Sequence, residues 1–166
     1  MTVYHKAQEV VSTKRKPVFH DVTELVKSAV VESGIKNGIA VVYSQHTTCS
    51  VTIQEESHDQ TFDGTKFLLQ DLLDVMENLA PKCQREGQYL HPGPAHISHA
   101  CGKLNEKAEW SLNTEAHLRS CLMGRSESIP VIGGKLELGE FGQVYFIDFD
   151  MVRSRKRTVH VQIVGE

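Results

Sequence analysis

The sequence predicts a single α+β domain in which a largely antiparallel β-sheet is packed by about three helices. Three observations carry this expectation. Short β-branched and aromatic runs alternate in character around Cys49–Ile53, Val144–Phe149 and Val159–Ile163. Other segments repeat apolar residues at helical spacing. The 166 residues suit one domain, numbered 1–166, that can bury a core without disulfides or a structural metal.

Val3 to Ser12 reads as an opening strand, broken by Lys14-Arg15-Lys16-Pro17. Val22, Leu25, Val26, Ala29 and Val30 then form the stripe of an amphipathic helix, with Asp21 or Thr23 to cap it and Gly34 to end it. Ile39 to Tyr43 is a buried strand bounded by Asn37-Gly38, and Cys49, Val51 and Ile53 alternate along a second strand. Leu68, Leu72, Val75, Met76 and Leu79 mark the second helix, stopped by Pro81. From there to about residue 112 neither period is visible, which predicts a long functional loop. It carries His91, His96 and His99. Asn113 and Gly124 bracket a third helix, and Val144–Phe149 with Val159–Ile163 reads as a C-terminal antiparallel hairpin joined through VRSRKR.

Composition narrows the function classes. Lys and Arg total 18 against 21 Asp and Glu, a net charge of -3, so no global field favours nucleic acid or an anionic membrane. VRSRKR also lacks interleaved aromatics, so the expected partners include neither nucleic acid nor membrane. The four cysteines contain no C-x-x-C pair, which argues against a zinc ribbon or a disulfide framework. The N-terminal MTVYHKAQEVV lacks an apolar signal core, and Ile39–Tyr43 is far too short to span a bilayer. A cytoplasmic protein is expected.

His46-Thr47-Thr48-Cys49-Ser50 places an imidazole, three hydroxyls and a thiol where one strand hands over to the next. The same hydroxyls could equally serve the backbone of a turn. His117 shares a helical face with Ser120 and Cys121, apart from the Leu118 and Leu122 stripe, and has meaning only with a partner. Glu55, Glu56, His58 and Asp59 could orient an imidazole or accept a proton, or form a solvated acidic turn. Arg153, Arg155, Lys156 and Arg157 could clamp phosphate, although such a cluster reads more simply as a solvated loop. Gly133-Gly134 and Gly139 fit no phosphate-binding pattern.

FHDVTELV at 19–26, HTTCSVTIQE at 46–55, EAHLRSCLMG at 115–124, SIPVIGGKLELGEFGQVYFIDFD at 128–150 and the closing VQIVGE together resemble the YjbQ family, also labelled secondary thiamine-phosphate synthases. The resemblance implies a homotrimer with its pocket near the subunit boundary. It also implies that His46 and His117 share that pocket with a histidine of a Y-x-H segment, here His91. Such a trio would favour a divalent, zinc-like ion. The chain departs from the pattern at Gln54, at Met151-Val152 and in the long stretch between His91 and His117, so His96 or His99 could replace His91.

The activity so implied is thiamine phosphate synthesis, which must neutralise a departing diphosphate. Mg²⁺ on carboxylates suits that step better than imidazoles do, so it is expected to be secondary. Metal-assisted hydrolysis or transfer on another small phosphorylated molecule suits the residues better. His46 and His117 would then be catalytic with Glu55 or Asp59 as proton acceptor, and Thr47, Thr48, Ser50 and Ser120 would bind the substrate anion. The alternative is a non-enzymatic trimeric module that binds a metal or an anion.

Overall fold

The computed structural model describes residues 1–13 and 16–166, so the Lys14-Arg15 part of the expected strand break lies outside the described residues. Among the described residues eight strands form two antiparallel sheets. The larger, in spatial order, holds β1 (Thr2–Val11), β8 (Lys156–Gly165), β3 (Gly38–Ser44), β5 (Ser126–Ile132) and β6 (Lys135–Leu136). The smaller holds β2 (Val18–Asp21), β7 (Gly142–Asp148) and β4 (Cys49–Glu55). The helices are α1 (Thr23–Ser33), α2 (Phe67–Leu79), α3 (Pro94–Lys103) and α4 (Thr114–Met123), with a 3₁₀ turn at Ala108–Ser111.

Alternation along the strands builds the layers. Val159, Val161 and Ile163 of β8 join Ala40, Val42, Ile129 and Val131 on the inner face of the larger sheet, against Val51, Val144 and Phe146 of the smaller. Helix α1 adds Val26, Ala29 and Val30 to that core. Its start is held by the Thr23 amide donating to Asp21 Oδ1 at 3.0 Å, and Gly34 ends it at φ 70°, where a side chain would be strained. The other face of the smaller sheet turns Tyr145, Ile147 and Phe149 toward Leu69 and Leu73 of α2 and Ala116 of α4. Tyr145–Phe149 is therefore covered on both faces within one chain, so it gives no reason of its own for a trimer.

Several expectations change. Among the described residues there are four α-helices where about three were expected, because α3 lies inside the stretch taken as a loop. It starts at Pro94, where a missing amide costs nothing, and buries only Ala100, so it has no apolar stripe to read. The C-terminal strands are not a hairpin: β7 pairs with β2 and β4, while β8 pairs with β1 and β3. On α2 the buried face is Leu69, Leu73 and Met76, one position round from the expected stripe, and Val75 and Leu79 are exposed. On α4 the leucine stripe, Leu118 and Leu122, faces outward while Glu115, Arg119 and Ser120 are buried. Arg119 accounts for that reversal. It donates to the Ala80 carbonyl at the end of α2 through Nε (3.1 Å) and a terminal nitrogen (2.8 Å), and it pairs with Glu77. Among the described residues no helix is long and apolar enough to cross a membrane.

Arg157 ties the two sheets together. Its Nε donates to Asp148 Oδ2 at 2.6 Å, and a terminal nitrogen reaches Asp148 Oδ1 at 3.2 Å and Thr48 Oγ1 at 2.9 Å. Both charges are buried. Arg157→Met would leave the Asp148 carboxylate buried without its cation, so it should lower unfolding stability by about 3–5 kcal/mol. Chemical denaturation checks this, and a loss under about 1 kcal/mol would show that the pair is not buried as described.

Candidate functional site

The HTT segment forms a tight turn between β3 and β4. The Ser44 hydroxyl accepts the His46 amide at 3.2 Å, and the Cys49 amide closes onto the His46 carbonyl at 3.2 Å. His46 then reaches sideways, and its Nε2 accepts the Thr158 backbone N–H at 2.9 Å. An amide can only donate, so Nε2 must carry a lone pair and the neutral ring must hold its proton on Nδ1. His46 therefore presents a donor. Burial, then the Arg157 guanidinium, holds its pKa below the ordinary imidazole value.

The same accounting settles His91. The Thr114 hydroxyl donates its single proton to the His91 carbonyl, so in the 3.0 Å contact between Thr114 Oγ1 and His91 Nδ1 the ring is the donor. Nε2 of His91 is left bare. On α4, His117 lies near the Thr47 carbonyl, which favours its protonated form, and in the neutral ring one nitrogen carries a lone pair. The ring centroids of His91 and His117 are 5.6 Å apart, and those of His91 and His96 4.5 Å apart, both edge-on. Burial depresses His117, with His91 adding to the effect, and burial followed by His96 depresses His91.

His46, His96 and His117 border a cleft of about 450 Å³ whose walls also include Thr48, Asn113 and Arg155, with His91 set behind His96 and His117. Arg155 bonds Asp150 at 3.2 Å, and its Nε is buried with no hydrogen-bond partner among the described residues. The segment carrying α3 closes over one side. There Glu106 pairs with Arg153, whose guanidinium lies 4.2 Å from the centre of the Trp110 ring.

The structure thus brings His46, Thr47, Thr48, His91, His96 and His117 together. It places the other expected residues elsewhere. Ser120 Oγ donates to the Cys49 carbonyl at 2.6 Å and Ser50 Oγ to the Ser120 carbonyl at 3.4 Å, so this buried pair clasps α4 to β4. Glu55 is exposed at the far end of β4, about 20 Å along the strand from Cys49, and Asp59 is exposed beyond it. His99 is exposed on α3, outside the cleft walls. Arg155 and Arg157, read from sequence as a solvated loop, are cleft residues. The alternation of Arg157 with the apolar Val159 and Val161 was the available signal, since it places Arg157 on the buried face of β8, with Arg155 in the same phase just before the strand begins.

The sequence profile of a family described as "UPF0047 protein YjbQ-like" matches residues 7–166. The chain belongs to the YjbQ family. A UPF0047 protein of Methanocaldococcus jannaschii is 29% identical over 156 residues, covering 94% of this chain and 91% of its own. The UPF0047 protein YugU of Bacillus subtilis is 28% identical over 160 residues, covering 96% and 98%. Two crystal structures share the YjbQ fold. A YbjQ-like protein of unknown function from Sulfolobus solfataricus superposes with a TM-score of 0.72 at 27% identity, covering 99% of this chain and 98% of its own. A YjbQ/UPF0047 protein of Clostridium acetobutylicum gives 0.70 at 31%, covering 96% and 99%.

A pH dependence follows from the depressed imidazoles. His20, His46, His91 and His117 all have pKa values lowered by burial, so near their titration the unfolded chain binds more protons than the folded one. Stability should be complete above the ordinary imidazole value and fall as pH drops through it. The urea midpoint should therefore be lower at about pH 5.5 than at about pH 7.5, and His46→Gln should flatten the difference. A midpoint that rises on acidification would contradict the assignment of neutral, buried rings.

Proposed function

We propose that the cleft binds a small phosphorylated compound and catalyses proton transfer on it. His46 and Arg155 hold the anion, and His117 with His91 exchanges the proton. The observation that carries this reading is the division of the imidazoles: His46 offers an N–H, while His91 offers a bare nitrogen and the neutral ring of His117, edge-on to it, carries one lone pair. The unpartnered Arg155 Nε adds a charged donor next to Thr48 and Asn113. Depressed imidazole pKa values keep the bases unprotonated near neutrality. The proton-accepting role expected of Glu55 or Asp59 passes to these rings.

A zinc-like ion fits two of the three expected ligands. His91 anchors one ring nitrogen on Thr114 and leaves the other bare, as metal-binding histidines do, and the neutral ring of His117 has one lone pair beside it. His46 does not fit, because its Nε2 lone pair is already engaged by Thr158. His96 stands next to His91 as the third imidazole, although among the described residues no three His, Cys, Asp or Glu side chains stand in ligand geometry. Bound there, such an ion would occupy those lone pairs in place of their proton exchange and would instead polarise a phosphoryl or carbonyl oxygen of the substrate.

Thiamine-phosphate synthesis is retained as a secondary activity. A departing diphosphate calls for carboxylate-held Mg²⁺, and the carboxylates around the cleft are engaged by arginines, Glu106 by Arg153 and Asp150 by Arg155. A homotrimer is part of the same proposal. The outer face of the larger sheet exposes Val3, Ile39, Tyr43 and Ile132, an apolar patch suited to a second copy. Light scattering should give three times the chain mass, and a clean monomer would remove the trimer.

Turnover on a panel of phosphorylated metabolites tests the assignment. His117→Ala should lower kcat by roughly 10²–10⁴-fold, whereas Arg155→Ala should act mainly on KM. Metal bound to untagged protein, read by native mass spectrometry, should fall in His91→Ala and His117→Ala and persist in His46→Ala. An unchanged kcat in His117→Ala would end the catalytic role. Saturable binding without turnover of any panel member would favour the binding module.

A further inference from the structure

A second cleft, of about 280 Å³, lies on the α2 side of the smaller sheet and shares no wall residue with the histidine cleft. Its floor is Tyr145, whose side chain lies on the face of β7 opposite Asp148. The residue is only 2% exposed, and its hydroxyl has no partner in hydrogen-bond geometry among the described residues; the Lys66 ammonium beside it is a donor only and leaves the phenolic proton unused. A buried phenol without a partner is costly unless something else bonds it.

The N-terminus of α2 opens onto the same cleft. This 13-residue helix has no side-chain cap and no acidic residue in its first turn. The Phe67 amide is engaged by the Asp59 carbonyl, and the next amides, of Leu68 and Leu69, are orphan donors by helix geometry. The helix dipole adds positive potential there. Lys66, at the cap position, holds its ammonium 5.9 Å from the centre of the Tyr145 ring. Glu56 approaches that ammonium at 3.5 Å but is itself largely exposed. Asp63 and Asp21 also border the cleft. The first is engaged by Lys16, Thr61 and Thr65, the second by the Thr23 amide, so neither replaces an incoming anion at the helix terminus.

We propose that this cleft binds an oxyanion carried by a small, partly apolar compound. The α2 N-terminus, Lys66 and the Tyr145 hydroxyl hold the anion, and Phe19 and Leu69 pack against the remainder. The Tyr145 hydroxyl is the group that distinguishes the site from an ordinary helix end. It can donate to the oxyanion while the backbone amides and Lys66 neutralise its charge.

The test is titration of the full chain with inorganic phosphate and with phenyl phosphate, followed by amide NMR. Saturable shifts are expected at Thr65, Lys66, Leu68 and Leu69, with phenyl phosphate the tighter of the two because of the apolar walls. Tyr145→Phe removes a hydroxyl with no partner, so it should leave folding intact and weaken binding by roughly three- to tenfold. Lys66→Met should weaken it by roughly tenfold. Shifts around Thr47 and Asn113 report the histidine cleft separately and should be untouched by both substitutions. Absence of saturable shifts at 65–69, or binding there that both variants leave unchanged, would overturn the proposal whatever happens at the histidines.

Discussion

The buried pair between Arg157 and Asp148 is the constraint on which the site depends. Arg157 points inward from β8 and Asp148 inward from β7, so their contact fixes how the two sheets meet at one end of the sandwich. The same guanidinium holds Thr48 and so draws the HTT turn against β8. Strand β3 pairs with β8 only as far as Ser44 opposite Val159. The next amide along β8, that of Thr158, would lack a partner on that side, and His46 Nε2 takes the place of the missing strand. The tautomer of His46 is therefore a consequence of where β3 stops.

From that placement the division of roles follows. One imidazole is turned into a donor by a backbone amide. Another is turned into an acceptor by the oxygen behind it, Thr114 Oγ1, and the neutral ring of His117, edge-on to it, adds a second lone pair. Burial then keeps all three rings neutral near pH 7. Donors and bases on one small cleft can hold an anion and move its proton without any carboxylate, which is why the remoteness of Glu55 and Asp59 does not weaken the functional reading.

Much of this was legible in the sequence, and the rest has identifiable reasons for escaping it. The α1 stripe, the β3 and β4 runs and the α4 caps are local patterns, and each formed within a residue or two of its expected place. Helix α3 escaped because it has almost no buried face. The exposed leucines of α4 misled because its buried face is polar and held by Arg119, an interaction with Ala80 far along the chain. In the same way the HTT and AHLRS segments announced themselves, while Arg155 and Arg157 looked like a solvated loop. Their partners, Thr48, Asp148 and Asp150, lie in other segments, and no periodicity encodes a contact of that kind.

The central claim concerns protons on rings, and nitrogen-15 NMR of the imidazoles reads them directly. At about pH 7, two-bond proton–nitrogen correlations should show His46 neutral with its proton on Nδ1 and a hydrogen-bonded, unprotonated Nε2. His91 should also be protonated on Nδ1, with Nε2 bare. A proton on Nε2 of His46 would contradict the Thr158 contact and, with it, the division between the donor imidazole and the two bases.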